Sequence, residues 1–220
     1  MTYRVQFEKE LEDLKIDLIK MGDEVISNIK DGLKSFLTMD GELAQATIKK
    51  DKIVNDYEII IEKKCLQIIL KEQPVAKDLR LITAVLKMIT DLERIGDHAA
   101  DISKMTIFMQ ENTKPYTVKQ MALMTEASQK MIKKALDSFV TRNLELAYEV
   151  INDDDEVDEY FLQVKKIVAQ AIRNNEIDAD YALYLMMVAK YLERISDHAV
   201  NIGEWVVFSI LGEHKHDVIF

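Results

Sequence analysis

The sequence predicts an all-α protein built as two tandem antiparallel three-helix bundles related by an internal pseudo-twofold duplication. Three observations carry that prediction. The 220 residues include only 6 Gly and 2 Pro, so helices run long and connections are short. Apolar residues recur at bundle spacing: Phe7, Leu11, Leu14, Leu18, Met21 and Val25 step by alternating fours and threes. And two segments nearly repeat each other, Leu92-Glu93-Arg94-Ile95-Gly96-Asp97-His98-Ala99-Ala100-Asp101-Ile102 and Leu192-Glu193-Arg194-Ile195-Ser196-Asp197-His198-Ala199-Val200-Asn201-Ile202.

The first helix is predicted over about Tyr3–Leu37. Gly22 and Gly32 fall inside it, at a propensity cost of about 1 kcal/mol each that the periodicity outweighs. Thr38-Met39-Asp40-Gly41 reads as a turn with Asp40 as N-cap. A second helix reaches about Glu72, Gln73-Pro74 breaks it, and Pro74 is suited to begin a third that runs to about Gln110. Asn112-Thr113-Lys114-Pro115 reads as a linker. Three more helices follow over about Thr117–Val140, Asn152–Ile172 and Ala179–Leu211. The resulting division is 1–111, a linker at 112–116, and 117–212. His214-Lys215-His216 reads as a frayed tail.

The duplication extends well beyond the motif. Ser35-Phe36-x-Thr38 matches Ser138-Phe139-x-Thr141, Glu42-Leu43-Ala44 matches Glu145-Leu146-Ala147, and Asp51, Val54 and Tyr57 match Asp154, Val157 and Tyr160. These pairs share an offset of 103 positions, whereas the later motif is offset by 100, so the second half has lost three residues near its counterpart of Gln73-Pro74.

Composition limits the chemistry. The net charge of −10 argues against sequence-independent nucleic-acid binding, which needs basic surface. A single cysteine, Cys65, allows no internal disulfide or thiolate cluster and reads as buried filler, like the eleven methionines. The N-terminus has no signal-peptide core, and apolar runs such as Trp205–Leu211 are far short of the roughly 20 residues a span needs. The expectation is a soluble intracellular protein.

Spacing locates the candidate site. At about 100° per residue, Leu92, Ile95, Ala99 and Ile102 define a core arc, and Glu93, Asp97 and Asp101 fall opposite. On the second helix Val54, Tyr57, Ile60, Ile61 and Ile68 are assigned to the core, with Asp51, Asn55, Glu58 and Glu62 on the far side. Asp154 and Asp158 repeat Asp51 and Asn55. Each half therefore carries two acidic stripes on adjacent helices. Like charges stacked this way repel by a few tenths of a kcal/mol per pair unless a cation offsets them. All-oxygen ligands suit Mg²⁺, Mn²⁺, Ca²⁺ or iron, and bridging carboxylates can gather more than one ion; zinc is less favoured. Ordinary ion pairing of Arg94 with Asp97, and of Arg194 with Asp197, is the competing explanation. His98 and His198 point about 100° from the stripe, which predicts pairing with Asp101 or a neighbouring helix rather than ligation. The spacing does not match the Glu-x-x-His of a ferritin-like di-iron bundle, and no phosphate loop, Ser-His-Asp set or His-Glu-x-x-His occurs. Trp205 is expected to pack in the core or at its rim.

With the two Leu-Glu-Arg-Ile motifs, the run Gln73-Pro74-Val75-Ala76-Lys77-Asp78-Leu79-Arg80 completes a pattern that resembles the PhoU family of phosphate-uptake regulators across essentially the full length. The resemblance implies two three-helix bundles with metal clusters on their surface, of iron, Mn or Mg. It implies a cytoplasmic, non-enzymatic negative regulator of a high-affinity phosphate ABC transporter and, in many bacteria, of a sensor histidine kinase, commonly as a homodimer. It assigns ligand roles to Asp51, Asn55, Glu93, Asp97 and Asp101 in the first half. In the second they go to Asp154, Asp158, Glu193, Asp197 and Asn201. Asn55 and Asn201 stand where the motif leads one to expect acids, which removes a charge from each set. A metal-dependent hydrolase or oxidase and a purely structural bundle remain the alternatives.

Overall fold

The computed structural model describes residues 2–109, 114–214 and 217–218. Six long helices account for almost all of them: α1 (Thr2–Thr38), α2 (Gly41–Glu72), α3 (Lys77–Phe108), α4 (Lys119–Thr141), α5 (Leu144–Arg173) and α6 (Ala179–Leu211). Two-residue strands, β1 (Glu213–His214) and β2 (Asp217–Val218), pair antiparallel after α6.

Local chemistry explains where the helices start and stop. Asp40 accepts a hydrogen bond from the Leu43 amide at 2.9 Å, the N-cap the sequence predicts. Asn143 does the same for α5, accepting from Leu146 at 3.0 Å. Helix five therefore begins eight residues before the expected Asn152, and Asn143 is the counterpart of Asp40 at the 103-residue offset. Asp178 caps α6 by accepting from the Asp180 and Tyr181 amides. Pro74 does not open α3. Gln73 turns left-handed at φ 44°, and the helix starts only at Lys77, after Ala76 at φ 44°. Of the expected linker, Asn112 and Thr113 lie outside the described residues; 114–118 form no regular element, and Val118 is extended just before α4.

In the first half α1 packs on both α2 and α3; in the second α4 packs on α5 and α6. The halves meet through α3 against α6 and, less extensively, α1 against α4, so the helix order across the broad layer is α2–α3–α6–α5. One apolar cluster runs through all six helices, including Leu14, Val54, Val85, Met124, Val157 and Leu185. Salt bridges from Asp31 to Lys50 and from Asp17 to Lys64 fix α1 and α2 antiparallel. Gly32 allows a close helix crossing. A Cβ there would stand 2.9 Å from the Ala99 carbonyl oxygen of α3, which explains a glycine inside a long helix.

Two further expectations change. Ile60 is not a core residue: it is exposed, and the buried line of α2 runs through Val54, Ile61, Cys65 and Ile68. The tail is not frayed at His214, whose ring stacks on Trp205 with centroids 3.9 Å apart and planes 13° apart. Trp205 itself meets Phe208 edge-on, a rim contact as expected. Lys215 and His216 lie outside the described residues.

Candidate metal centre

The first acidic set forms where α2 crosses α3. Gly96 creates the space: a Cβ at that position would come within 3.1 Å of both Asp51 Oδ1 and Val54 Cγ1, so the Asp51 carboxylate rests directly on α3. Asn55 Nδ2 donates to Asp51 Oδ2 at 3.3 Å. That leaves Asp51 Oδ1 and Asn55 Oδ1 buried with no hydrogen-bond donor. Unpartnered buried acceptors carry a desolvation cost of about 1–3 kcal/mol each, which a bound cation would offset.

Electrostatics tie the neighbours together. Burial raises the Asp51 carboxyl above its ordinary range, and the charges of Asp97 and Asp101 add to this, against Asn55 and Lys104. Glu93 is raised by burial, then by Asp97, Glu58 and Asp51. Glu58 is raised by burial, then by Glu62, with Asp97 adding to it and Arg94 opposing. Glu58 therefore belongs to the set, although the ligand assignment omits it. Its signal is present in the stripe Asp51, Asn55, Glu58, Glu62, which steps at helical spacing. The Arg94 guanidinium sits 3.7 Å from both Glu93 and Asp97, and Lys104 pairs with Asp101 at 2.8 Å. The expected local ion pair of Arg94 with Asp97 is thus present, but it coexists with the acidic cluster.

The second set is built the same way but is less acidic. Asp154 is raised by burial, with the Ser196 hydroxyl beside it opposing and Asp197, Asp158 and Glu193 adding; its Oδ1 is buried without a donor. Asp197 is raised by burial and then by Glu193, with Lys190 opposing. Lys190 pairs with Glu193 and lies 5.6 Å from the Phe161 ring. Phe161 occupies the position matching Glu58, and Lys190 the position matching Thr90. Asn201 turns away from this group, donating to Asp91 Oδ1 at 3.2 Å across the α3–α6 contact.

The histidines lie on the seam between the halves, as their direction on the helix predicts. His198 Nδ1 is 2.9 Å from Asp91 Oδ1, His98 stacks on Tyr191, and the two imidazoles face each other at 5.7 Å. Burial and then His198 lower the His98 pKa.

Among the described residues, no three His, Cys, Asp or Glu side chains close into a complete ligand set as they stand. The donor chemistry nonetheless fits a hard cation, because each set combines half-buried carboxylates of raised pKa with a buried oxygen that has no donor.

Comparison with known proteins gives these stripes a context. The sequence model of the PhoU domain matches twice, over residues 18–106 and 121–206. A phosphate-specific transport system accessory protein PhoU homolog from Clostridium acetobutylicum is 36% identical over 97% of both chains. Homolog 1 from Thermotoga maritima is 34% identical over 100% of this chain and 95% of its own. The crystal structure of PhoU from Pseudomonas aeruginosa superposes with a TM-score of 0.85 at 32% identity, covering 94% of this chain and all (100%) of that one. The phosphate transport system regulatory protein PhoU from Streptococcus pneumoniae gives 0.86 at 26% identity, covering 94% and 98%. Matched twice by the domain model and along its whole length by these relatives, the chain belongs to the PhoU family.

Proposed function

We propose that this chain is a metal-binding, non-enzymatic regulator that restrains high-affinity phosphate uptake by a phosphate ABC transporter and acts on phosphate-responsive signalling through a sensor histidine kinase. The relatives' role as accessory proteins of phosphate transport supports the first part. No helix among the described residues is long and apolar enough to cross a membrane, which fits a regulator working in the cytoplasm and docking at the inner membrane face. The observation that carries the metal reading is the pair of buried, donor-free carboxylate oxygens, Asp51 Oδ1 and Asp154 Oδ1, each inside an acidic set. Asp51, Asn55, Glu58, Glu93, Asp97 and Asp101 would hold iron, Mn²⁺ or Mg²⁺ in the first half. Asp154, Asp158, Glu193 and Asp197 would do so in the second. Such an ion would offset part of the carboxylate charge and hold the two helices of each set together at a fixed face for recognition; Asn201 is engaged with Asp91 instead.

Deleting the gene while phosphate is plentiful is expected to raise phosphate uptake and phosphate-responsive transcription. Unchanged uptake and transcription would sink the regulatory assignment. The asymmetry of the two sets gives a second expectation. The Lys190 ammonium on Glu193 competes with a cation in the second half. Lys190→Thr, which installs the residue type of Thr90, should tighten metal binding there by about threefold, because Lys190 is half-exposed and such a contact is worth at most about 1 kcal/mol. Titration calorimetry with Mn²⁺ reads this directly, and an unchanged isotherm would refute the competition.

A further inference from the structure

We infer that the end of the molecule where α3 stops and α6 begins carries a docking surface for a basic, amphipathic segment of a partner protein, independently of the metal sets and of the regulatory reading above. Leu183 and Met187 stand one turn apart on α6 and are 66% and 44% exposed. Phe108, the last residue of α3, is 59% exposed, and its carbonyl oxygen accepts from the Tyr184 hydroxyl at 3.5 Å. Tyr184 adjoins Leu183 and precedes Met187 by three residues, so the four side chains follow one another from α3 onto α6. Single exposed apolar residues need no explanation, but a contiguous group rimmed by polar residues marks an interaction surface.

Beside this patch the segment 114–118 runs past the α5–α6 turn and leaves a cleft of about 630 Å³. Its walls combine the rings of Phe108, Tyr116 and Tyr184 with the carboxylates of Glu176, Asp178 and Asp180. Asp178 uses one oxygen to cap α6, and Glu176 accepts from Asn174 Nδ2 at 2.9 Å. Among the described residues none of the three carboxylates pairs with a cation, and Lys114 is the basic residue of the cleft. Three carboxylates against one ammonium, beside aromatic rings, suit a guanidinium or ammonium group on an apolar stem. The adjoining patch suits a large apolar side chain, and the methionine adapts to its shape. A segment that offers both together is basic and amphipathic. The net charge of −10 adds long-range attraction for it.

The duplicated half shows that packing does not call for these side chains. At the 100-residue offset, the positions matching Asp180, Leu183, Tyr184 and Met187 are Arg80, Thr83, Ala84 and Lys87. Phe208, which matches Phe108, is only 1% exposed. The first half thus builds the same long helix, α3, with no apolar patch at its start. Arg80 and Lys87 also place positive charge where α6 has Asp180 and Met187, which repels a basic partner. The combination of patch and acidic cleft therefore belongs to the second half alone.

Fluorescence anisotropy tests this with a labelled helical peptide of repeated Leu-Lys-Lys-Leu-Leu-Lys-Leu, titrated with the full chain at about 150 mM salt and with chelator present to exclude metal-bridged contacts. The expected Kd is about 10 μM or tighter, and the peptide with Glu in place of Lys should not bind. Leu183→Glu and Asp180→Lys, both at exposed positions and checked for folding by circular dichroism, should each weaken binding by at least about tenfold. Leu70→Glu, at the 79% exposed position on α2, should leave it within about twofold of the parent. No saturable binding up to about 100 μM overturns the proposal. So does an affinity that ignores Leu183→Glu and Asp180→Lys, or an equal loss in Leu70→Glu, which moves the contact to α2. Self-association of the parent that Leu183→Glu abolishes, read by sedimentation velocity, overturns it too, because the patch then belongs to a second copy.

Discussion

Glu93→Gln combined with Asp97→Asn is expected to abolish metal uptake by the first half while leaving the second half's uptake intact. Each change keeps the side chain's size and removes one charge from a set that also includes Asp51, Glu58 and Asp101. Hard cations are held by charge count and oxygen number, so losing two carboxylates should weaken Mn²⁺ or Fe²⁺ binding by about 100-fold or more. Equilibrium dialysis with elemental analysis measures it; undiminished binding at both halves would remove the metal centre from this location. The same variant should be more stable than the parent without metal. Glu93 and Asp97 repel each other in the folded chain, and Arg94 at 3.7 Å from each offsets this only in part. Because Asp97 is substantially solvent-exposed, the gain is about 1 kcal/mol, or about 2–4 °C in midpoint.

That repulsion has a pH signature of definite sign. Asp51, Glu58 and Glu93 have folded pKa values above their ordinary ones, so the native state binds protons more readily than the unfolded state. Their unfavourable contribution is fully present at neutral pH, above the folded values. It is relieved as pH falls through those values toward the ordinary 3.8 of Asp and 4.5 of Glu. The metal-free parent should therefore lose less stability on mild acidification than Glu93→Gln/Asp97→Asn, and a saturating divalent ion should reverse the comparison.

The helices are legible in the sequence because long apolar repeats and few breakers leave little freedom. The crossing of α2 on α3 is legible because both stripes step at helical spacing. What stays hidden depends on three-dimensional direction. Ile60 reads as core because it neighbours Ile61, but one residue on a helix turns 100° and carries it to the outer face. Asn201 matches Asp101 in sequence, yet Asp91 on the opposing α3 draws its amide into the seam; Tyr191 holds the matching position on α6 and stacks on His98. No spacing within α6 could reveal an acceptor that another helix supplies. Glu58 is visible in the stripe, but its coupling to Glu93 requires knowing how α2 sits on α3. The start of α5 is available in principle, since Asn143 stands at the offset that relates it to the cap Asp40.

Phe36→Ala should cost far more stability than truncating any exposed apolar side chain, and should destabilise both halves together. Phe36 is fully buried near the end of α1 in the first half, and its ring stacks on Tyr181 at the start of α6 in the second, with centroids 5.5 Å apart and planes 21° apart. Removing a buried phenyl ring costs about 3–5 kcal/mol, and an aromatic pair adds about 0.5–1.5 kcal/mol. Against a typical total of about 5–15 kcal/mol this is a large share, equivalent to a fall of roughly 10 °C in midpoint. Because one apolar cluster joins all six helices, the loss should appear as a single displaced transition and not as early melting of one bundle. Calorimetry distinguishes these outcomes, with Leu183→Ala, at a position 66% exposed, as the near-neutral control. Two separate transitions in the parent, with only one moved by Phe36→Ala, would mean that the halves fold as independent units. The shared α3–α6 seam carrying His98, His198 and Asp91 would then be a docking contact between domains and no part of a common core.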